Sequence, residues 1–196
     1  HGKSRAFLQE HDIPAHVRII DLAQDFRIAG DHDYVYGLPE THREQTRGAM
    51  HLANPGCFAT CIQLALLPAL KAGMLSGDIH VNGITGSTGA GQKPGATTHY
   101  SWRNDNISVY KTFNHQHLLE INQTVQELHP GYDGRVLFIP QRGCFARGIY
   151  VTAYAKCDAP LELVKLCLAA LAPFDGQVHA PALNLDGIIG MGAHIQ

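Results

Sequence analysis

The sequence predicts an α/β or α+β fold with a mixed sheet, because helix-like and strand-like segments alternate along the chain. Glycine and proline divide the chain into short pieces, and the apolar residues in these pieces recur at either helical or strand spacing. The chain has 196 residues, of which 45% are hydrophobic and 16% charged. It is therefore long enough to bury a core without support from disulfides or metals.

Charge and composition exclude several classes of protein. Lys plus Arg total 15 and Asp plus Glu total 17, for a formal net charge of -2, which argues against a protein that mainly binds nucleic acid or an anionic membrane. No apolar run approaches the roughly 20 residues of a membrane span, and the polar start lacks a signal-peptide core. The five cysteines are an odd, scattered set that does not suggest a disulfide framework. We therefore expect a cytoplasmic protein.

The first part of the chain predicts short elements. We expect the end of a helix over 3–10, a buried strand over 16–22, a loop over 33–39 and a brief helix over 41–48. Asn54-Pro55-Gly56 is a strong break. A new element is therefore expected to begin directly after it.

The longest helix is predicted over 57–72, where apolar residues recur at helical spacing. Pro68 should kink this helix, and Gly73 is well placed as its C-terminal cap. A strand over 78–85 then leads into a glycine-rich loop over 86–91. This order predicts a helix followed by a strand that ends in a loop.

The second half of the chain predicts another helix and further strands. Apolar positions between 114 and 128 mark an amphipathic helix with Asn114 as its N-cap. Strands over 135–139 and 148–155 and a last helix over 160–171 follow in that order. The glycine-rich tail gives no clear assignment, and Gly190-Met191-Gly192-Ala193 fits no predicted element.

Cys57 is the first candidate for chemistry. It follows Pro-Gly directly and lies in the first turn of the predicted helix, where unsatisfied N–H groups stabilise a thiolate. The same N–H groups can hold an oxyanion on a bound acyl group. A small buried cysteine in a helix is the alternative, and the spacing alone does not decide between the two.

A histidine pair offers the partner that a nucleophilic thiol needs. His117 and Glu120 are three residues apart on one helix face, so Glu120 can orient His117 as an acid/base, although a solvated first turn is the alternative. His115 and His117 face different ways, which weakens a metal interpretation. Cys57 and Cys61 lie one helical turn apart without a second ligand pair. We therefore expect no metal site.

The loop Gly86–Gly91 and two arginines are weaker candidates. The glycine spacing matches neither a Walker A loop nor the Gly-x-Gly-x-x-Gly fingerprint of dinucleotide sites. A loop that donates to a bound anion and a plain connection both remain open. Arg142 and Arg147 can each hold a phosphate or carboxylate through a bidentate contact, although arginines at strand ends are often merely solvated.

Taken together, five segments resemble the N-acetyl-γ-glutamyl-phosphate reductase family of the semialdehyde dehydrogenase group. In chain order they are 20–27, 36–40, 54–60, 86–91, and 115–121 with Arg147-Gly148-Ile149 following. Asn-Pro-Gly-Cys-Phe-Ala-Thr at 54–60 is similar to the active-site signature of that family. The resemblance covers roughly residues 3–171.

The resemblance implies an enzyme of arginine biosynthesis. Such an enzyme reduces N-acetyl-L-glutamyl 5-phosphate, a small-molecule acyl phosphate, to the 5-semialdehyde with NADPH. By this resemblance Cys57 forms a thioester, and His117, supported by Glu120, moves the proton. The implied substrate-binding residues are Arg147, Arg142 and Asn54, and the residues implied beside the nicotinamide are Ser87, Gly89 and Gly91.

The resemblance also implies a domain plan and leaves alternatives. Residues 1–53 match the last portion of an NADP-binding domain of the Rossmann type, and residues 54–196 match a catalytic and dimerisation domain that is incomplete at its C-terminus. A homodimer or homotetramer would follow the family. The alternatives are a related enzyme acting on aspartyl or aminoadipyl phosphate, and a non-catalytic dimerising fragment. A cysteine hydrolase fits less well, because the match extends to loops that a hydrolase does not need.

Overall fold

The structure is a computed structural model that describes residues 2–160, 162–163, 183–185 and 188–195. The chain divides after Gly56 into two compact units, residues 1–56 and 57–196. Each unit has its own sheet.

The first unit contains a parallel three-stranded sheet and two helices. Its elements are α1 (Ser4–Glu10), β1 (Ile19–Asp21), β2 (Val35–Tyr36), α2 (Pro39–Gly48) and β3 (His51–Ala53). The strand order is β1-β3-β2, and both pairs are parallel. The predicted helices are confirmed, but the predicted strand is shortened to β1, the segment predicted as a loop contains β2, and β3 was missed. Strands of two or three residues are too short to show a period.

The second unit is built on a six-stranded mixed sheet. Its elements are α3 (Cys57–Lys71), β4 (Leu75–Thr85), α4 (Tyr100–Arg103), β5 (Ser108–Val109), α5 (His117–Leu128), β6 (Val136–Arg142), β7 (Ile149–Cys157), β8 (Leu183–Leu185) and β9 (Ile188–Ile195). The strand order is β5-β6-β4-β7-β9-β8, with β4 and β6 parallel and the other neighbours antiparallel. The predicted fold class is therefore confirmed.

The helix α3 ends where the sequence predicts. Gly73 has φ +64°, its N–H donates to Leu70 O at 2.9 Å, and the N–H of Met74 donates to Ala69 O at 3.0 Å. This pair of hydrogen bonds satisfies the last carbonyls of the helix, and the left-handed backbone favours glycine. The helix is continuous through Pro68.

The core of the second unit lies between α3 and the sheet. Large apolar side chains from both sides are almost completely removed from solvent: Phe58, Ile62, Leu66 and Leu70 from α3, and Ile79, Val81, Phe138 and Val151 from the strands. Because the helix is apolar over so much of its surface, it is fixed against the sheet, and its first residue has a defined position.

Several predicted boundaries shift in the second unit. β4 begins at Leu75, before a register irregularity beside Gly77, whose φ is +66°. The segment around Met191 belongs to β9, which pairs with β7. Its glycines gave no strand signal, because glycine is uncommon in strand interiors. Most of the helix predicted over 160–171 lies outside the described residues, of which 162–163 are helical.

Candidate active site

The carboxyl ends of two parallel strands meet at one edge of the larger sheet. Thr85 at the end of β4 pairs with Arg142 at the end of β6, and Ile149 at the start of β7 pairs with Thr85 from the other side. The loops that follow β4 and precede β7 therefore leave the sheet at the same edge. The strand ends thus bring the predicted glycine-rich loop close to Arg142.

The loop after β4 is held by the loop before β7. The N–H groups of Gly86, Ser87 and Thr88 donate to the carbonyls of Gly148, Phe145 and Ala146 at 2.9, 2.9 and 3.1 Å. A Cβ on Gly86 would stand 2.5 Å from Ala146 O, so this position requires glycine. Because these three N–H groups already have acceptors, they are not available to cradle a phosphate.

Cys57 is the first residue of α3, and its side chain is exposed while Phe58 and Ala59 behind it are buried. The N–H groups in the first turn of a helix have no acceptor within the helix, and they create a positive field at the thiol. One turn further on, burial and then the charge of Cys57 raise the pKa of the Cys61 thiol to about 12. Of these two thiols, only Cys57 is placed for reaction.

The N-cap residue of the histidine helix is Gln116, not the predicted Asn114, and its side chain makes no capping hydrogen bond. Nδ1 of His115 accepts a hydrogen bond from the N–H of His117 at 3.2 Å, whereas Asn114 is exposed and lies further from the start of α5. The prediction of Asn114 as the N-cap is therefore wrong. His115 accepts from the N–H of the first helical residue, whereas a capping side chain accepts from the second or third.

The start of α5 lies against the start of α3. The ring of His115 makes edge contacts with Phe58 and Phe138, at centroid distances of 5.7 and 5.5 Å, and with His117 at 4.6 Å. Since Phe58 follows Cys57 directly, the ring of His115 contacts the residue next to the exposed thiol, and His117 contacts that ring. Burial, followed by the charge of Lys111, lowers the pKa of His115 to about 4, so its ring is neutral and can accept the hydrogen bond from the N–H of His117.

His117 and Glu120 form the predicted pair on one face of α5. Both side chains are buried, and Nε2 of His117 lies 4.0 Å from Oε1 of Glu120. This separation is longer than a hydrogen bond, and the pair attracts through charge only when the imidazole is protonated. The described residues contain no group of three or more His, Cys, Asp or Glu side chains placed to hold a metal ion.

Tyr110, which precedes the histidine helix, also belongs to this cluster. The Arg142 guanidinium carbon lies 4.7 Å from the centre of the Tyr110 ring. Burial raises the pKa of Tyr110, Arg142 opposes this shift, and the charge of Cys57 adds to it, so both groups are within electrostatic range of the phenol. A single tyrosine before a helix has no spacing signature, and only the fold shows that it lies beside the thiol.

A buried arginine that the sequence did not indicate holds the end of β6. The side chain of Arg103 donates to the backbone oxygens of Thr97, Asn106 and Arg142, and to Oγ of Ser108, at 2.7–3.3 Å. These hydrogen bonds connect α4 and β5 to Arg142, the last residue of β6. Arg103 therefore fixes the backbone of Arg142 and is not itself open to a ligand.

The predicted site residues thus fall into three places. Cys57, His117, Glu120 and Arg142 are brought together at the starts of α3 and α5 and the end of β6. Ser87, Gly89 and Gly91 lie on the loop at the same edge of the sheet, and Arg147 is exposed in the loop before β7. Asn54 lies in the first unit.

In that unit the backbone of Asn54 is anchored on both sides. Its N–H donates to Asp21 O at 2.8 Å, and its carbonyl accepts from Nε of Arg27 at 2.8 Å. Its side-chain N–H donates to Pro55 O at 3.1 Å. These hydrogen bonds fix the loop that precedes Cys57 in the sequence.

A family model described as the semialdehyde dehydrogenase dimerisation domain matches residues 57–174. The chain belongs to the semialdehyde dehydrogenase family. The match covers most of the second unit, which holds the thiol, the histidine pair and Arg142. The family assignment agrees with the resemblance that the sequence motifs indicated.

Curated relatives in this family extend the similarity across the first unit. A protein named N-acetyl-gamma-glutamyl-phosphate reductase from Parabacteroides distasonis is 57% identical over 167 residues, which are 85% of this chain and 51% of the relative. One of the same name from Bacteroides thetaiotaomicron is 51% identical over 187 residues, which are 95% of this chain and 58% of the relative. The chain therefore spans about half the length of the curated relatives it matches.

Solved structures show the same fold. Aspartate semialdehyde dehydrogenase II from Vibrio cholerae superposes with a TM-score of 0.66 at 17% identity, over 90% of this chain and 66% of that one. The aspartate semialdehyde dehydrogenase from Francisella tularensis gives a TM-score of 0.61 at 12% identity, over 89% and 68%. None of the helices in the described part of the chain is both long and apolar enough to cross a bilayer.

Proposed function

We propose that this chain performs the thiol chemistry of the NADPH-dependent reduction of N-acetyl-L-glutamyl 5-phosphate to N-acetyl-L-glutamate 5-semialdehyde and phosphate, in arginine biosynthesis. The observation that carries the proposal is the exposed thiol of Cys57 at the first residue of α3, beside a buried histidine–glutamate pair. Two relatives that are 57% and 51% identical carry the name of this reductase.

Cys57 acts as the nucleophile. Its Sγ attacks the carbonyl carbon of the acyl phosphate, the bond from that carbon to the phosphate oxygen breaks, and a thioester remains on Cys57 as phosphate leaves. When bound, a reduced nicotinamide supplies the hydride that takes this thioester to the oxidation level of an aldehyde. The C–S bond of the resulting thiohemiacetal then breaks, which releases the semialdehyde and restores the thiolate.

The groups around the thiol transfer the proton and stabilise the charges that develop in these steps. His117 donates a proton to the oxygen of the thiohemiacetal and takes it back as the C–S bond breaks. Glu120, 4.0 Å from Nε2 of His117, offsets the positive charge of the protonated ring. The N–H groups at the start of α3 face the carbonyl oxygen when it becomes negative.

Two arginines are suited to the anionic ends of the substrate. Arg142 at the end of β6 has its guanidinium carbon 4.7 Å from the centre of the Tyr110 ring, and a guanidinium group can form paired hydrogen bonds with a phosphate or carboxylate. Arg147 is exposed at the same edge of the sheet. We assign the phosphate to Arg142, because Tyr110 beside it is within electrostatic range of Cys57.

The residues of this chain fit the ring end of a nicotinamide nucleotide better than its phosphates. The loop residues Gly89 and Gly91 are exposed without side chains, so a flat ring can approach their backbone, and Ser87 is half-buried beside them. The N–H groups of Gly86, Ser87 and Thr88 already donate to carbonyls of the chain. The sequence contains no Gly-x-Gly-x-x-Gly that would hold a pyrophosphate.

The assembly and the substrate follow the same relatives. The matched domain is named for dimerisation, which supports a homodimer or homotetramer. The scattered, odd set of five cysteines favours a reducing cytoplasm. The structures titled aspartate semialdehyde dehydrogenase are at most 17% identical and support the fold only, so we favour the glutamyl substrate over the aspartyl one. A readily tested difference is which of the two semialdehydes is oxidised in the reverse reaction.

The test measures the reactivity of Cys57 in the chain itself. The rate of iodoacetamide labelling is followed as a function of pH, and mass spectrometry locates the modified residue. Cys144 is also exposed and serves as an internal standard. We expect Cys57 to react near neutral pH at least about tenfold faster than Cys144, because the roughly 8.5 pKa of a free thiol is lowered at a helix start.

The same measurement on the His117→Ala variant shows whether the imidazole contributes. We expect slower labelling of Cys57 and unchanged labelling of Cys144. In an assay that supplies NADP and phosphate, Cys57→Ser should abolish oxidation of N-acetylglutamate semialdehyde. If Cys57 reacts no faster than Cys144, the thiol is not activated and the proposal is wrong.

A further inference from the structure

Two buried polar side chains form a hydrogen bond between α3 and α5. Oγ1 of Thr124 on α5 donates a hydrogen bond to Oε1 of Gln63 on α3 at 2.6 Å. Gln63 is 2% exposed and Thr124 is 1% exposed. The hydrogen bond is therefore removed from solvent, and neither water nor a neighbouring loop is needed to explain it.

The position of this pair along the two helices relates it to the reacting groups. Gln63 is six residues after Cys57 on α3, and Thr124 is seven residues after His117 on α5. With a rise of about 1.5 Å per residue, Gln63 lies about 9 Å along α3 from Cys57, and Thr124 lies about 10.5 Å along α5 from His117. The hydrogen bond therefore joins the two helices at nearly the same distance from Cys57 on α3 as from His117 on α5.

Thr124 also belongs to the stripe of α5 that carries the histidine. His117, Glu120 and Thr124 follow one another at intervals of three and four residues, so they lie on one face, and all three are buried. A rotation or slide of α5 that displaced Thr124 from Gln63 would move His117 by the same amount. Likewise, a movement of His117 along with α5 would displace Thr124 from Gln63. The hydrogen bond therefore forms only in one register of the whole stripe.

A purely structural role does not explain why these two residues are polar. Apart from Gln63, the buried residues of α3 are apolar or small, and an apolar pair of similar volume would pack between the helices without the desolvation cost of an amide. Apolar contacts tolerate sliding, whereas a buried hydrogen bond is lost when its two atoms separate by an ångström. The pair therefore favours one register over its neighbours.

We propose that the Gln63–Thr124 hydrogen bond sets the register of α5 on α3 and thereby holds His117 at its working distance from Cys57. Gln63 and Thr124 are positioning residues, since neither touches the substrate or the reacting atoms. The inference rests on the proposed function, because it assigns the purpose of the register to the thiol and imidazole. It adds residues that no motif in the sequence indicated.

The test uses the pH profile of Cys57 alkylation in four variants. Thr124→Val keeps the shape of the side chain and removes the donor, and Thr124→Ser restores the hydroxyl. Val125→Ala, at a buried apolar position next to Thr124, is the control that loosens the helix without touching the hydrogen bond. The double variant Gln63→Leu with Thr124→Val removes the buried amide together with its partner.

For Thr124→Val we expect the alkylation profile of Cys57 to move up by about one pH unit, which is roughly a tenfold slower reaction near neutral pH. Thr124→Ser should retain the wild-type profile, and Val125→Ala should retain it despite a lower melting temperature. The double variant should regain thermal stability but keep the shifted profile. This combination separates positioning from a general loss of stability.

The remaining outcomes decide against the inference in distinguishable ways. If wild-type Cys57 is activated and Thr124→Val alkylates with the same profile, the register does not depend on this hydrogen bond and only the inference is overturned. If Val125→Ala shifts the profile as much as Thr124→Val, the effect is one of stability and the inference is again overturned. If wild-type Cys57 is no more reactive than Cys144, the proposed function fails, and the inference fails with it.

Discussion

The two units of the chain are stabilised in different ways. In the second unit, strands of seven to eleven residues at the centre of the sheet pack against α3 over a continuous apolar core. In the first unit the strands have two or three residues, and several large apolar side chains face solvent: Ile20 is 64% and Leu22 67% exposed. Apolar residues of similar type are therefore buried in the core of the second unit and exposed on the surface of the first.

Polar side chains organise the first unit instead. Buried Asp21 accepts hydrogen bonds through Oδ1 from Oγ of Ser4 at 2.6 Å and from the N–H of Ala23 at 3.1 Å. Buried Arg27 donates to the carbonyls of Asn54 and Leu22. In the second unit the core and the site are continuous, because Phe58 and Phe138 belong to the core and also contact His115. Damage to the apolar core should therefore reach the site in the second unit.

Removing one core aromatic ring from each unit gives the largest expected effect. Phe138→Ala deletes a fully buried ring that contacts Phe58 and His115, and we expect it to lower the free energy of unfolding of the second unit by about 3–5 kcal/mol. Phe26→Ala in the first unit removes a ring stacked on Tyr34 and should cost less, about 1–2 kcal/mol. Hydrogen exchange in increasing urea, read on peptides from each unit, measures both values.

Equal losses in the two units would show that the first unit has as well packed a core as the second and would remove the contrast between them. The alkylation rate of Cys57 in the same two variants provides an additional readout. It should fall in Phe138→Ala, because the contacts of His115 are loosened.

The sequence predicted the second unit better than the first for the same physical reason. Over 57–72 the helical period is repeated several times, and Gly73 marks its end, so the helix was located within one residue. β3, with three residues, has no period that could be recognised, and its existence follows only from parallel pairing with β1 and β2. Long-range pairing is not encoded in a local window, so such strands are found only in the folded chain.

The site divides along the same line. Cys57 and the His117–Glu120 pair were predicted because each follows a local rule about helix starts or helix faces. Tyr110 and Arg103 were not predicted. Tyr110 belongs to the site because the fold brings Arg142 over its ring. Arg103 has its role because four hydrogen-bond acceptors from separate segments surround it. Asn114 was wrong as a cap, because α5 begins at His117 and its N-cap residue is Gln116.

The neutral state of His115 predicts an acid sensitivity that belongs to the second unit. Burial, and then Lys111, lowers the pKa of His115 in the folded chain to about 4, below the ordinary 6.5, so the unfolded chain binds the proton more tightly. The stability that neutral His115 contributes is fully present above pH 6.5 and is lost as the pH falls through about 4. A loss of about 2–3 kcal/mol across this range is expected.

His115→Asn keeps an acceptor for the N–H of His117 and removes the titrating ring, so this part of the acid sensitivity should disappear. His16→Asn, at an exposed position in the first unit, is the matched control and should leave the pH dependence of the second unit unchanged. Urea unfolding at several pH values between 4 and 7 gives the comparison. An identical pH dependence in His115→Asn and the wild type would show that His115 is not held neutral by the fold.

Two glycines give the smallest expected effect and opposite signs in the two units. Gly73 follows α3 with φ +64°, and although a Cβ there would meet no atom within 4 Å, the left-handed backbone strains any other residue. Gly73→Ala should therefore destabilise the second unit by about 1 kcal/mol. Gly48 is the last residue of α2, and it also has open space around it but no left-handed φ. Gly48→Ala should therefore stabilise the first unit by about 0.5–1 kcal/mol, because alanine lowers the entropy of the unfolded chain. Because neither substitution changes a side-chain contact, hydrogen exchange on the two units would isolate the backbone contribution. A destabilised Gly48→Ala variant would show that the end of α2 needs the conformational freedom of the glycine backbone.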